Sequence, residues 1–151
     1  QELTGFVPRA KLEKQRVRAV RFFLHDAGET SGMTVYVEQT KDEVRLVYAD
    51  VSLHDYYGSD GKEGLERGEK KLKPAQWEAL QEKVKQADLC NLKRELRLVL
   101  DGTSWTLESF ADGKSCSFTE AAPDESDFRA ACLLLWRQSG AFMGFWRDVK
   151  R

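Results

Sequence analysis

Residues 94–119 read RELRLVLDGTSWTLESFADGKSCSFT, and this stretch decides the fold class. Leu96, Leu98 and Leu100 alternate with Glu95, Arg97 and Val99 as far as Asp101-Gly102. Asp-Gly between alternating runs signals a hairpin, because both central residues of the tight turn take positive φ. Trp105, Leu107 and Ser109 then share a face, a second turn follows at Asp112-Gly113, and Cys116 and Phe118 share a face beyond it. The expectation is a three-stranded antiparallel meander whose apolar face must be buried against another layer.

Upstream, a second meander is expected. Val20, Phe22 and Leu24 alternate with Arg21, Phe23 and His25; Met33, Val35 and Val37 alternate with Thr34, Tyr36 and Glu38. After a link at 40–42, Val44, Leu46 and Tyr48 stand opposite Arg45, Val47 and Ala49. Residues 50–73 are polar and carry Gly58, Gly61, Gly64 and Gly68, so they read as one long loop, its end (LERGEKKLK, 65–73) a solvated ramp. Pro74 suits a first helical position, and Trp77, Leu80, Val84 and Ala87 make one helical stripe.

After the decisive stretch, Pro123-Asp124 leads into a helix with Phe128, Ala131, Cys132 and Leu135 inward and Gly140 as its stop. The tail repeats the helical period with Phe142, Phe145, Trp146 and Val149, as a short C-terminal helix. The fold class expected is α+β, in the order βββ-α-βββ-α, with helices on one face of one or two antiparallel sheets. That order suggests an internal duplication. Residues 1–151 form one domain, with 1–16 a loosely attached lead-in because Pro8 interrupts any regular element.

With 41% hydrophobic and 32% charged residues, the chain is of globular and not disordered composition. A net charge of -1 with dispersed Lys and Arg argues against nucleic acid, and no apolar run reaches the ~20 residues of a membrane span. The chain begins at Gln1, which a removed signal peptide or a trimmed end explains; the reading adopted is a mature periplasmic or secreted chain. Cys90, Cys116 and Cys132 allow one disulfide in any of three pairings, Cys116–Cys132 among them, or three buried thiols.

The run LDGTSWTLESFADGKSCSFTEAAPDESDFRAACLLLW resembles a pattern in small, uncharacterised, exported bacterial α+β proteins. There a strand ends in Asp-Gly, a Trp-x-Leu-Glu strand and a second Gly turn follow, and Pro leads into a Phe-bearing helix. Where such proteins often have Gly-x-Asn before that Pro, this chain has Glu120-Ala121-Ala122. The resemblance implies a fold and a bacterial-envelope setting, and it brings no catalytic residues.

The chemistry is sparse. His25 beside Asp26 reads as a surface pair. His54, Asp55, Tyr56, Tyr57 and Asp60 form the most distinctive polar cluster, suited to contacting a protein partner from a loop; the plain alternative is a loop whose tyrosines fold back on the sheet. Phe142, Phe145 and Trp146 either dock on the core or form a hydrophobic patch. No metal, calcium, phosphate-loop or nucleophile spacing emerges, and no cofactor is expected. The function expected is a non-enzymatic interaction module of the bacterial envelope, for example an immunity or inhibitor protein that inserts its 50–64 loop into a basic or aromatic cleft. A small-ligand carrier would instead show an apolar pocket of about 300 Å³ or more. A hydrolase would place His54 within hydrogen-bond reach of an acid, serine or thiol.

Overall fold

Period-two alternation over residues 18–52 produces three strands, β1 (Arg18–Asp26), β2 (Ser31–Gln39) and β3 (Val44–Ser52). The computed structural model describes residues 8–26, 31–52, 65–93, 103–121 and 123–140. Phe22 lies across from Val35, and Val35 from Tyr48, so the expected apolar faces meet on one side of the sheet. Thr40 closes the β2–β3 turn: its N–H donates to the Glu43 carbonyl at 2.8 Å, and its hydroxyl accepts from Glu43 N–H at 3.2 Å.

β4 (Leu65–Leu72) corrects the reading of residues 50–73 as one loop. It pairs antiparallel with β3 from Val51↔Leu65 to Val44↔Leu72. LERGEKKL has neither alternation nor strand-forming composition, and its pairing comes from β3 rather than from its own sequence. Its charges suit an edge position, where they discourage pairing with other chains. Lys71 Nζ reaches Glu43 at 2.9 Å, and Arg45 pairs with Glu69.

Pro74 opens α2 (Pro74–Ala87), and Gln76 Oε1 accepts the Lys73 N–H at 2.9 Å. Asp88, left-handed at φ 51°, ends it and leads into a 3₁₀ turn at Leu89–Asn91. Next come β5 (Thr103–Ala111), β6 (Lys114–Ala121) and α3 (Asp127–Ser139). Asp112 (φ 54°) and Gly113 (φ 79°) form the expected tight turn between β5 and β6. Ser126 Oγ caps α3 by accepting the Arg129 N–H at 3.1 Å, and Gly140 stops the helix at φ 68°.

The six strands among the described residues form one antiparallel sheet in the order β4-β3-β2-β1-β5-β6. Both edges of β5 are therefore occupied, by β1 and by β6. The meander expected across Asp101-Gly102 has no free edge on β5 to use, and residues 94–102 lie outside the described residues. The described order is thus a helix, four strands, a helix, two strands and a helix, not βββ-α-βββ-α. Among the described residues the two blocks hold four and two strands.

α2 and α3 cover one face, as expected. Trp77, Leu80, Phe128, Ala131, Cys132, Leu135 and Trp136 pack with Phe22, Leu46, Trp105 and Leu107, all at most 4% exposed. Each leucine and phenylalanine among them stabilises the fold by about 1.5–3 kcal/mol relative to exposure. Phe22 meets Trp105 edge-on at 5.7 Å between ring centres, and Phe118 meets Phe128 at 5.0 Å.

The lead-in expected over residues 1–16 contains α1 (Arg9–Lys14), which covers part of the opposite face. Pro8 starts this helix rather than interrupting it, its carbonyl accepting from Lys11 and Leu12 at 3.1 and 3.2 Å. Leu12 packs with Ala19, Tyr36 and Phe110. Arg9 Nε donates to Glu108 at 2.9 Å, and Ser115 Oγ donates to Glu13. Residues 1–7 and the tail 141–151, with its expected short helix, lie outside the described residues.

Of the three possible cysteine pairings, the structure forms Cys90–Cys116, with Cα atoms 5.0 Å apart. The bond ties the 3₁₀ turn after α2 to the edge strand β6. Cys132 is a buried free thiol.

Candidate functional site

The ladder places the ends of the principal candidate loop. β3 ends and β4 begins at one end of the sheet, with Val51 directly opposite Leu65. Ser52 also lies across from Ser31, so the β1–β2 connection leaves from the same end. Residues 53–64 therefore connect two strands of one hairpin next to the sheet edge. Their twelve residues replace the 24-residue polar stretch read from sequence. His54, Asp55, Tyr56, Tyr57 and Asp60 all fall in this connection and lie outside the described residues. So do Phe142, Phe145 and Trp146. What the structure supplies for the loop is its base, a pair of adjacent strands in fixed register. His25, the other histidine, is the penultimate residue of β1, on the rungs of Gly32 and Ser104.

At the opposite end of the sheet is a cleft of about 480 Å³ that sequence reasoning did not find. The start of β1, the β2–β3 turn, the end of β4 and the first turn of α2 converge there. Arg18, Lys41 and Lys71 line it with Asp42, Glu43 and Glu78, together with Trp77 and Leu72. Balanced charge over an aromatic floor suits a small polar or zwitterionic molecule better than an apolar one. The Trp77 indole N–H is buried with no hydrogen-bond partner among the described residues. Helix start and turn were each legible in the sequence; their meeting depends on β4.

A second cleft, of about 320 Å³, runs between α2 and α3. Ala130, Leu133 and Leu134 floor it, Lys83, Arg129 and Arg137 line it, and Glu125 is its one acid. Among the described residues, side chains of α2, α3 and the sheet pack into one apolar cluster.

The resolved titration shifts belong to the core. Burial pushes the Tyr36 hydroxyl well above its ordinary range, and the neighbouring Glu38, which accepts its hydrogen bond at 3.1 Å, adds to this. Burial likewise raises the Cys132 thiol, with Glu120 adding to it, which leaves it a protonated, unreactive group. Among the described residues no group of three or more His, Cys, Asp or Glu side chains is placed to hold a metal ion. Among them also, no helix is long and apolar enough to cross a membrane. No family model matches the chain, and no curated protein does either.

Proposed function

We propose that the chain is a non-enzymatic interaction module of the bacterial envelope or exterior. In this reading it acts as an immunity or inhibitor protein does, by placing the 53–64 loop in a cleft of a partner protein. The observation that carries the reading is the Val51↔Leu65 rung, which holds both ends of the loop on neighbouring strands of one sheet. A loop whose base is pre-formed loses less conformational freedom on binding, so more of its contact energy appears as affinity. Tyr56 and Tyr57 supply the aromatic anchors and Asp55 and Asp60 the charge that a basic, aromatic-lined cleft requires. The Cys90–Cys116 disulfide suits an oxidising compartment, in keeping with the periplasmic or secreted setting.

The test is capture from the envelope fraction of the source organism, wild type beside Tyr56→Ala/Tyr57→Ala. A single partner that the double variant loses supports the reading; the same partner retained at equal yield removes the loop from it.

The 480 Å³ cleft at the other end favours a second reading, binding of a small polar ligand. A rise in melting temperature with a small polar metabolite, lost in Arg18→Ala/Glu78→Ala, would select it.

A further inference from the structure

A helix seated on a sheet ordinarily turns polar side chains outward. α3 does not do so along its whole length. Phe128, Ala131, Cys132, Leu133 and Leu135 join the core and Leu134 packs against it, while Ala130, Leu133 and Leu134 also floor the cleft facing α2. Leu134 and Ala130 are partly exposed. Around this floor stand three cations, Lys83 from α2 and Arg129 and Arg137 from α3, against the single acid Glu125. Among the described lining residues cations outnumber acids, in a chain whose net charge is -1. Arg129 is placed by the Trp105 ring, whose centre lies 6.0 Å from its guanidinium carbon.

We propose that this cleft docks an acidic amphipathic helix of a partner protein. The spacing of the cations decides the ligand class. Arg129 and Arg137 are eight residues apart on one helix, about 12 Å along its axis. That span matches acids about two turns apart on a partner helix. A helix with acids two turns apart meets both while its apolar stripe lies over Ala130 and Leu134. Nucleic acid fits less well, because its evenly spaced phosphates call for a continuous cationic track and leave the apolar floor unused. The proposal uses no residue of 53–64, so it stands whether or not the loop binds anything.

Fluorescence anisotropy with a labelled 15-residue peptide tests it, leucines at i, i+3 and i+7 and glutamates flanking them. The same peptide with lysine for glutamate is the control. Lys83 and Arg137 are exposed, so Lys83→Glu/Arg137→Glu is expected to melt as the wild type does. Wild type should bind the glutamate peptide, more weakly as salt rises. The charge-reversed variant should bind it about tenfold more weakly and gain affinity for the lysine peptide. Tyr56→Ala/Tyr57→Ala should bind as wild type does. Equal binding of the glutamate peptide by wild type and charge-reversed protein overturns the proposal. So does displacement of that peptide by dodecanoate at equal concentration, which would mark a single-headgroup site. Loss of binding in the tyrosine variant alone also overturns it, while leaving the loop reading intact.

Discussion

Arg21 donates from Nε to Glu108 at 2.8 Å, with both side chains at most 5% exposed, on the sheet face away from α2 and α3. The Phe23 and Phe110 rings lie 4.9 and 5.4 Å from the Arg21 guanidinium carbon, and Arg9 reaches the other oxygen of Glu108. Removing one partner strands a buried charge. Glu108→Leu is therefore expected to cost about 3–5 kcal/mol. Arg21→Met should cost much less in the Glu108→Leu background than in the wild type. Urea denaturation of the four proteins measures the coupling; strictly additive losses would mean the pair does not act as a unit. Arg9, half-exposed, should contribute under about 1 kcal/mol.

The Cys90–Cys116 bond closes a segment of 26 residues in sequence separation. Chain entropy alone assigns it about 3.5 kcal/mol. Cys90→Ser/Cys116→Ser, or reduction, should lower stability by that order. Thiol titration of the native protein should find no reactive group, and titration in denaturant without reductant should find one, Cys132. Two or three thiols released in denaturant alone would show that the bond does not form.

Tyr36 and Cys132 set an alkaline limit. Both have ionisation raised by burial, so the folded chain keeps protons that the unfolded chain gives up. Their contribution to stability is fully present below the ordinary thiol and phenol values and declines as pH rises above them. Stability should therefore fall from about pH 9 upward. Tyr36→Phe should flatten the part of the decline above about pH 10. An unchanged slope in that variant would remove Tyr36 from the account.

Gly68 faces Tyr48 across the β3–β4 ladder, and the Tyr48 ring occupies the space a Cβ at position 68 would need. Gly68→Ala should displace the ring and destabilise the fold by about 1–3 kcal/mol. Truncating the ring, in Tyr48→Ala/Gly68→Ala, should make the added methyl harmless. Thermal melts of the single and double variants distinguish this from a general intolerance of alanine in β4.

These residues also show where sequence reading stops. β1, β2 and β3 were legible because one side of each is apolar, and side-chain period reports burial directly. The Asp112-Gly113 turn was legible because its conformation restricts which residues can adopt it. β4 was not: its Gly68 makes room for a residue twenty positions earlier, and its lysines and glutamates reflect an edge that only the assembled sheet defines. α1 escaped notice because six residues with one buried leucine have no period to read. The placement of β5 between β1 and β6 is a long-range pairing, invisible to a local turn signal that favoured the preceding residues. For the candidate loop, the cluster of His54, Tyr56 and Tyr57 could be read from composition. Its hairpin base could not, because that base depends on β4.

The central claim is that residues 53–64 serve binding and not folding, and a loop replacement tests it most directly. Replacing 53–63 with Asn-Gly keeps Ser52 and Gly64 and offers a tight hairpin turn to a ladder already in register. The shorter connection should leave stability equal or raise it by about 1 kcal/mol. The account predicts an unchanged or higher melting temperature together with complete loss of the partner captured by the wild-type chain. A loop-replaced protein that melts normally and still holds that partner would contradict it.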